Sequence, residues 1–371
     1  MRTRNFTTPA YFPREGPHPT MRFNDRLVVS YVVWDQPNVG DAPASHERFN
    51  LLFLHGSQMM KEVWTYYAEL AFKHWGSKLD KVIALDVVTH GDSARLNESK
   101  VTAFSSWPDI GRDAGLVLDD LAHMGELDGP TIAAGHSMGG AGTIFLAAFH
   151  TAKIDGIILM DPVWGGSWPE EESKSPATMA IGQMFGKVYK YSRDEFDSRE
   201  EYEQFMKTKF ISRQFHPRIQ ADMIAHNAYT DFHGKIRVKM TKALQVGAYI
   251  SASSVIRAAT TIVRWTPVPA LVLRGEVEDW NPPGDMKKLA DRLPNSELKV
   301  IDGGGHLVYF EKPDECFAAM IDFVDRQVES ALQRRKAYEV GTQVGAYTIQ
   351  QVEKELKRMV NDGVRTSFAK L

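Results

Sequence analysis

The chain has 371 residues, with 44 Lys and Arg against 47 Asp and Glu, a formal net charge of −3 and 43% hydrophobic residues. That length and apolar content suffice for a large buried core, and the near-neutral balance offers no electrostatic footing for nucleic acid. The single cysteine, Cys316, excludes an internal disulfide and fits a reducing compartment, while no apolar run approaches the roughly 18 residues of a membrane span.

From the N-terminus, Met1 to Pro19 is rich in Pro, Arg and Thr and lacks an apolar segment, so it reads as a poorly packed arm and not as a secretory signal; residues 1–24 are set apart on this basis. Leu27 to Trp34 and Asn50 to Leu54 read as strands, Val63 to His74 as a helix and Lys81 to Asp86 as a strand. Pro108 opens a helix to Met124, with Ile110, Ala114, Leu118 and Leu121 at the spacing of a buried stripe. A strand at Thr131 to Ala134, a helix from Ala141 to His150 and a strand at Gly156 to Met160 follow. The rhythm resumes with the strand Ala270 to Leu273, a helix at Met286 to Leu293, the strand Glu297 to Ile301 and a helix from Asp314. Strands that alternate with helices, several apolar along their length, predict a mostly parallel sheet covered by helices on both faces.

Between residues 163 and 265 the pattern is helical, with Met179, Met184, Phe185, Tyr189, Tyr202, Phe205, Met206 and Met223 scattered among charges. This stretch is expected to form a helical cap inserted between two sheet strands, over a core made of residues 25–162 and 266–335. Its aromatic and methionine side chains are expected mainly to pack the cap itself. Residues 336–371 form a polar extension with a helix-like run at Ile349 to Val360. The chain stops at Ala369-Lys370-Leu371, a small-basic-leucine triplet close to the S-K-L peroxisomal address, so an import receptor is an expected partner and the peroxisome the expected compartment.

The chemistry is concentrated in a few turns. Ala134-Gly135-His136-Ser137-Met138-Gly139 fits G-x-S-x-G, a strand-to-helix turn that lifts a serine above the sheet edge, with glycines where β-carbons find no room. Ser137 is therefore the candidate nucleophile. It needs a base, and His306, in a Gly303-Gly304-Gly305 turn after a strand, is the candidate. A carboxylate must hold that imidazole, and three remain open at strand ends: Glu278 and Asp161, both in the chain order serine, acid, histidine, with Asp279 a neighbour of the first. The N–H of Met138 and that of Ser57, after His55-Gly56, are the candidate oxyanion donors. No metal-ligand spacing and no glycine-rich phosphate loop occur, so no cofactor or metal is expected.

F-L-H-G-S, D-V-V-T-H-G-D-S-A, G-H-S-M-G-G, G-E-V-E-D-W-N-P-P and G-G-G-H-L-V-Y-F-E-K-P stand in the order found in α/β-hydrolase fold proteins. The chain resembles that superfamily over roughly residues 25 to 330, and within it resembles peroxisomal fungal hydrolases and those of fungal secondary-metabolite clusters. The resemblance implies an eight-stranded, mostly parallel sheet with a cap after the sixth strand, and a Ser-acid-His triad in which Ser137, His306, Ser57 and Met138 take the expected places. Most of the superfamily has aspartate where Glu278 stands, which keeps Asp161 in play. The expected activity is hydrolysis of carboxylic esters of apolar acyl groups. Acyl-CoA thioester hydrolysis or acyl transfer is the alternative, and a non-catalytic ligand-binding protein the third reading.

Overall fold

The computed structural model describes residues 1–16, 18–36, 45–165 and 186–339 and the single positions 183 and 357. Two compact units are present, Met1–Val328 and Glu329–Leu371.

The first unit is organised by an eight-stranded sheet in the order β1-β2-β4-β3-β5-β6-β10-β11. Its strands are β1 (Arg2–Pro9), β2 (Val28–Asp35), β3 (Phe49–Leu54), β4 (Leu79–Leu85), β5 (Thr131–His136), β6 (Gly156–Met160), β10 (Ala270–Gly275) and β11 (Ser296–Ile301). β1 and β2, and β2 and β4, pair antiparallel; the remaining neighbours are parallel. Every residue of β3, β5 and β6 is buried. That is why these strands read as unbroken apolar runs and not as alternating ones.

On one face of the sheet lie α3 (Pro108–His123) and α4 (Met138–Phe149), following α1 (Thr65–Trp75) and α2 (Gly91–Leu96) in the chain. Ile110, Ala114, Leu118 and Leu121 of α3 are buried as the spacing predicts, against Ile144 and Phe145 of α4 and the β3 and β5 side chains Leu52, Leu54 and Ala133. The opposite face buries Phe53, Ala134 and Ile158 with Trp64, Tyr67 and Phe72 of the α1 region and with Phe317, Met320 and Phe323. Cys316 is buried among the latter group.

The N-terminal segment departs from expectation. Residues 2–9 are an edge strand paired with β2 along its whole length, not a loose arm. Arg2 and Arg4 both bond the Asp35 carboxylate, Phe6 stacks on Tyr31 with ring centroids 5.3 Å apart, and the buried Arg14 pairs with Asp113 at 2.7 Å. An edge strand shows much of its side-chain surface to water, so its sequence is polar and resembles an unpacked arm.

Between β6 and β10, the described residues hold α5 (Arg199–Thr208), α6 (Pro217–His226), α7 (Lys242–Ser251), α8 (Ser253–Ile262) and a three-stranded antiparallel sheet of β7 (Glu195–Phe196), β9 (Ile236–Val238) and β8 (Ala228–Thr230). Strands of two or three residues are too short to register as a pattern, so the expectation of a purely helical segment misses them. Tyr202, Met206 and Met223 are buried, as the packing reading expects, while Tyr189 is exposed; Met179, Met184 and Phe185 lie outside the described residues.

After β10 come α9 (Asp285–Arg292), the short α10 (Val308–Glu311) and α11 (Pro313–Glu339), which runs through the expected boundary at 335. In the second unit the last turns of α11 carry i,i+4 bonds from Gln333 to Glu329 and from Arg334 to Ser330. Ala369, Lys370 and Leu371 lie outside the described residues, as does the helix-like run at Ile349 to Val360 apart from Lys357.

Candidate active site

Strand ends build the site. β5 ends at His136, and Ser137 follows with φ 54° and ψ −115°, backbone angles that a residue with a β-carbon avoids. Neighbouring strands hold the bend: Ser137 N–H donates to the Met160 carbonyl and Val163 N–H to the Ser137 carbonyl, each at 3.1 Å. The flanking glycines are enforced by contact. A β-carbon on Gly135 would overlap the Gly139 carbonyl, and one on Gly139 would overlap the Leu54 carbonyl.

β6 ends beside it, and Asp161, with φ 42°, directs its carboxylate toward the loop after β11. Its Oδ2 lies 2.5 Å from His306 Nδ1, and its Oδ1 accepts from Asn281 Nδ2 at 2.8 Å. A ring that donates from Nδ1 leaves Nε2 as an acceptor, the tautomer a general base needs. The backbone N–H of His306 donates to Asp279 Oδ1 at 2.8 Å. Ser137, Asp161 and His306 are 6%, 7% and 9% exposed, so the group is almost wholly removed from solvent.

Two more rings border His306. The Trp280 indole is stacked on it at 4.9 Å between centroids and 15° between planes, and the His136 ring lies at 4.6 Å. His136 Nε2 donates to the His306 carbonyl at 2.9 Å. Burial, with His306 adding to it, holds the His136 imidazole well below the ordinary histidine range, so it stands neutral beside the site.

The structure therefore sorts the three carboxylates. Asp161 reaches the imidazole ring, Asp279 reaches only the backbone of His306, and Glu278 reaches neither. Glu278 Oε1 accepts instead from the Gly284 N–H at 2.8 Å, so placing it on His306 is corrected: its side chain caps the turn ahead of α9.

Ser57 and Ser137 line one cavity of about 150 Å³ with His306, bordered by the apolar side chains Met59, Ile211 and Leu307 and by the Tyr249 and Trp280 rings. Met138 is the first residue of α4, so its N–H belongs to a helix's first turn, which lacks intrahelical acceptors. Its sulfur accepts from Ser57 Oγ at 3.6 Å, which ties the two candidate donors together. Gly56 is enforced by contact: a β-carbon there would sit 2.6 Å from His136 Nδ1.

The Asp86 to Ser93 turn supports these loops. Asp86 accepts from the Lys61 N–H, the Asp92 N–H and the buried Lys61 ammonium at 2.8, 2.8 and 3.0 Å. Among the described residues no three His, Cys, Asp or Glu side chains converge as metal ligands, and no helix is long and apolar enough to cross a membrane.

Trp280 and Asn281 stand in the W-N-P-P stretch without an expected role, although a tryptophan and an amide next to a candidate acid were visible. Ile211 and Tyr249 carried no signal, because nothing in their own neighbourhoods points to residues 137 and 306.

A parallel sheet with a strained serine between β5 and α4, and an imidazole–carboxylate pair at the adjoining strand ends, defines the α/β hydrolase class. The sequence model of the Alpha/beta hydrolase family matches residues 51–319, and the chain belongs to that family. It is 28% identical over 325 residues to peroxisomal membrane protein LPX1 of Saccharomyces cerevisiae, covering 83% of each chain. The structure of that peroxisomal α/β-hydrolase superposes with a TM-score of 0.80 at 25% identity, covering 97% of both. The compartment of this relative agrees with the one expected from Ala369-Lys370-Leu371. A type I acyl-CoA thioesterase of Penicillium roqueforti is 26% identical over 42% of this chain and 35% of its own length. The fold alone is shared with E-2-(acetamidomethylene)succinate hydrolase, at a TM-score of 0.61 and 17% identity over 87% of this chain and all of that one.

Proposed function

We propose that this chain is a peroxisomal serine hydrolase that cleaves carboxylic esters of apolar acyl groups. The observation that carries the reading is the 2.5 Å contact between Asp161 Oδ2 and His306 Nδ1, made at the same cavity that Ser137 lines. In this reading His306 Nε2 takes the Ser137 proton as Oγ attacks the acyl carbon. The N–H groups of Ser57 and Met138 hold the oxyanion, and Asp161 steadies the imidazolium. His306 then returns the proton to the departing alcohol. Water, activated by the same imidazole, releases the acid and restores the serine. Met59, Ile211 and Leu307 supply apolar surface suited to an acyl chain.

The resemblance to a named acyl-CoA thioesterase favours one variation, in which the leaving group is a thiol. The triad steps are unchanged, because only the departing atom differs.

Ser137→Ala is expected to lower p-nitrophenyl ester turnover at least about a thousandfold and to abolish fluorophosphonate labelling, with the melting temperature nearly unchanged. Labelling that survives in this variant removes Ser137 from the reaction. A panel of acyl-CoAs against glycerol esters separates thioester from ester cleavage. An absence of Ser137-dependent turnover on every member leaves ligand binding as the role of the cavity.

A further inference from the structure

Three consecutive residues, Asp279, Trp280 and Asn281, each grip a different part of the imidazole–carboxylate pair. Asp279 accepts the His306 backbone N–H, Asn281 donates to the Asp161 oxygen that His306 does not use, and Trp280 lies flat on the imidazole. The Trp280 Nε1 is buried and has no hydrogen-bond partner among the described residues. Its observed ring contacts are with His306 and, at 6.1 Å, with Tyr249.

A face-on indole presents its negative quadrupole to whatever lies above it. When that neighbour acquires a positive charge in a site shielded from water, the attraction grows to roughly 1–2 kcal/mol, about a five- to thirtyfold factor. We propose that Trp280 is a positioning residue for His306: its stacked face favours the charged imidazolium that forms when Ser137 gives up its proton. This rests on the reading of Ser137 and His306 as nucleophile and base. The effect on the ring itself is measurable without any substrate.

The other ionisable neighbours of His306 are Asp161 at the end of β6, Asp279 in the same loop as Trp280, and neutral His136 at the end of β5; beyond them lies Glu311 of α10, whose carboxyl is raised by burial and by the Asp279 charge. None of them is removed by substitution at position 280. Loss of the indole has two possible consequences of opposite sign. Without the quadrupole the charged ring is favoured less and titrates at lower pH. Admission of water favours the charged ring and moves its titration upward.

The test is NMR of histidine labelled at Cε1, with the His306 resonance assigned by its disappearance in His306→Gln. Trp280→Leu is expected to lower the titration midpoint of that resonance by about 0.7 to 1.5 pH units, and Trp280→Phe by less in the same direction. On p-nitrophenyl esters, Trp280→Leu is expected to lower kcat about fivefold or more with KM within about twofold, and Trp280→Phe to recover most of the loss. A midpoint that stays or rises in folded Trp280→Leu overturns the proposal; Trp280→Met provides the same comparison should the leucine variant not fold. Survival of ester turnover in Ser137→Ala would instead sink the hydrolase reading and leave the titration result standing.

Discussion

At the scale of single residues, the site turns on which carboxylate can reach one imidazole. Glu278 and Asp161 look alike in sequence: both follow an apolar strand, and both precede His306 in the chain. Their surroundings separate them. Asp161 leaves β6 at a positive φ, next to β5 and β10, and Asn281 fixes its second oxygen, whereas the Glu278 carboxylate is occupied by the Gly284 N–H. The contacts that single out Asp161 come from His306 and Asn281, 145 and 120 positions along the chain, which is why Ser137 and His306 could be picked out by their own flanking glycines and the acid could not. Asp161→Asn is accordingly expected to lower kcat about a thousandfold or more, and Glu278→Gln to stay within about threefold, in p-nitrophenyl ester assays. The opposite ranking would return the acid to the loop after β10.

At the scale of elements, legibility followed burial on both faces. β3, β5 and β6 announce themselves by continuous apolar residues, and α3 by its buried stripe. β1 and the three short strands between β6 and β10 carry no such signature, because one is an edge and the others are too brief. Some of the contacts that join the inserted segment to the sheet's loops were invisible for another reason: they are ion pairs distant in sequence. Lys239 bonds Asp92 at 2.5 Å, and Asp92 also bonds the buried Lys61 at 2.6 Å. Burial alone would raise the Asp92 carboxyl; Lys61 and Lys239 outweigh it and hold the group at about 2. A carboxyl lowered in the folded state adds stability above its unfolded value of roughly 4, and that contribution disappears as pH falls through 2. Asp92→Asn is expected to lower the unfolding midpoint in urea at pH 7, with the difference from the unsubstituted chain shrinking between pH 4 and pH 2. A difference that is constant with pH would separate Asp92 from these charge contacts.

For the molecule as a whole, the sheet order accounts for where Ser137, Asp161, Trp280 and His306 meet: β5, β6, β10 and β11 are successive neighbours, and each leads from its carboxyl end into the turn that carries one of them. The same arrangement constrains durability. Position 137 sits at backbone angles that cost a β-carbon-bearing residue about 1–3 kcal/mol, and glycine alone adopts them freely. Ser137→Gly is therefore expected to melt several degrees higher than Ser137→Ala in calorimetry, although both are inert toward esters. Equal melting temperatures would show that the turn stores no energy. On the role proposed for Ser137, a fold of this kind is held slightly short of its greatest robustness by the side chain that gives it something to do, and selection for longevity without selection for turnover would be expected to replace that serine first.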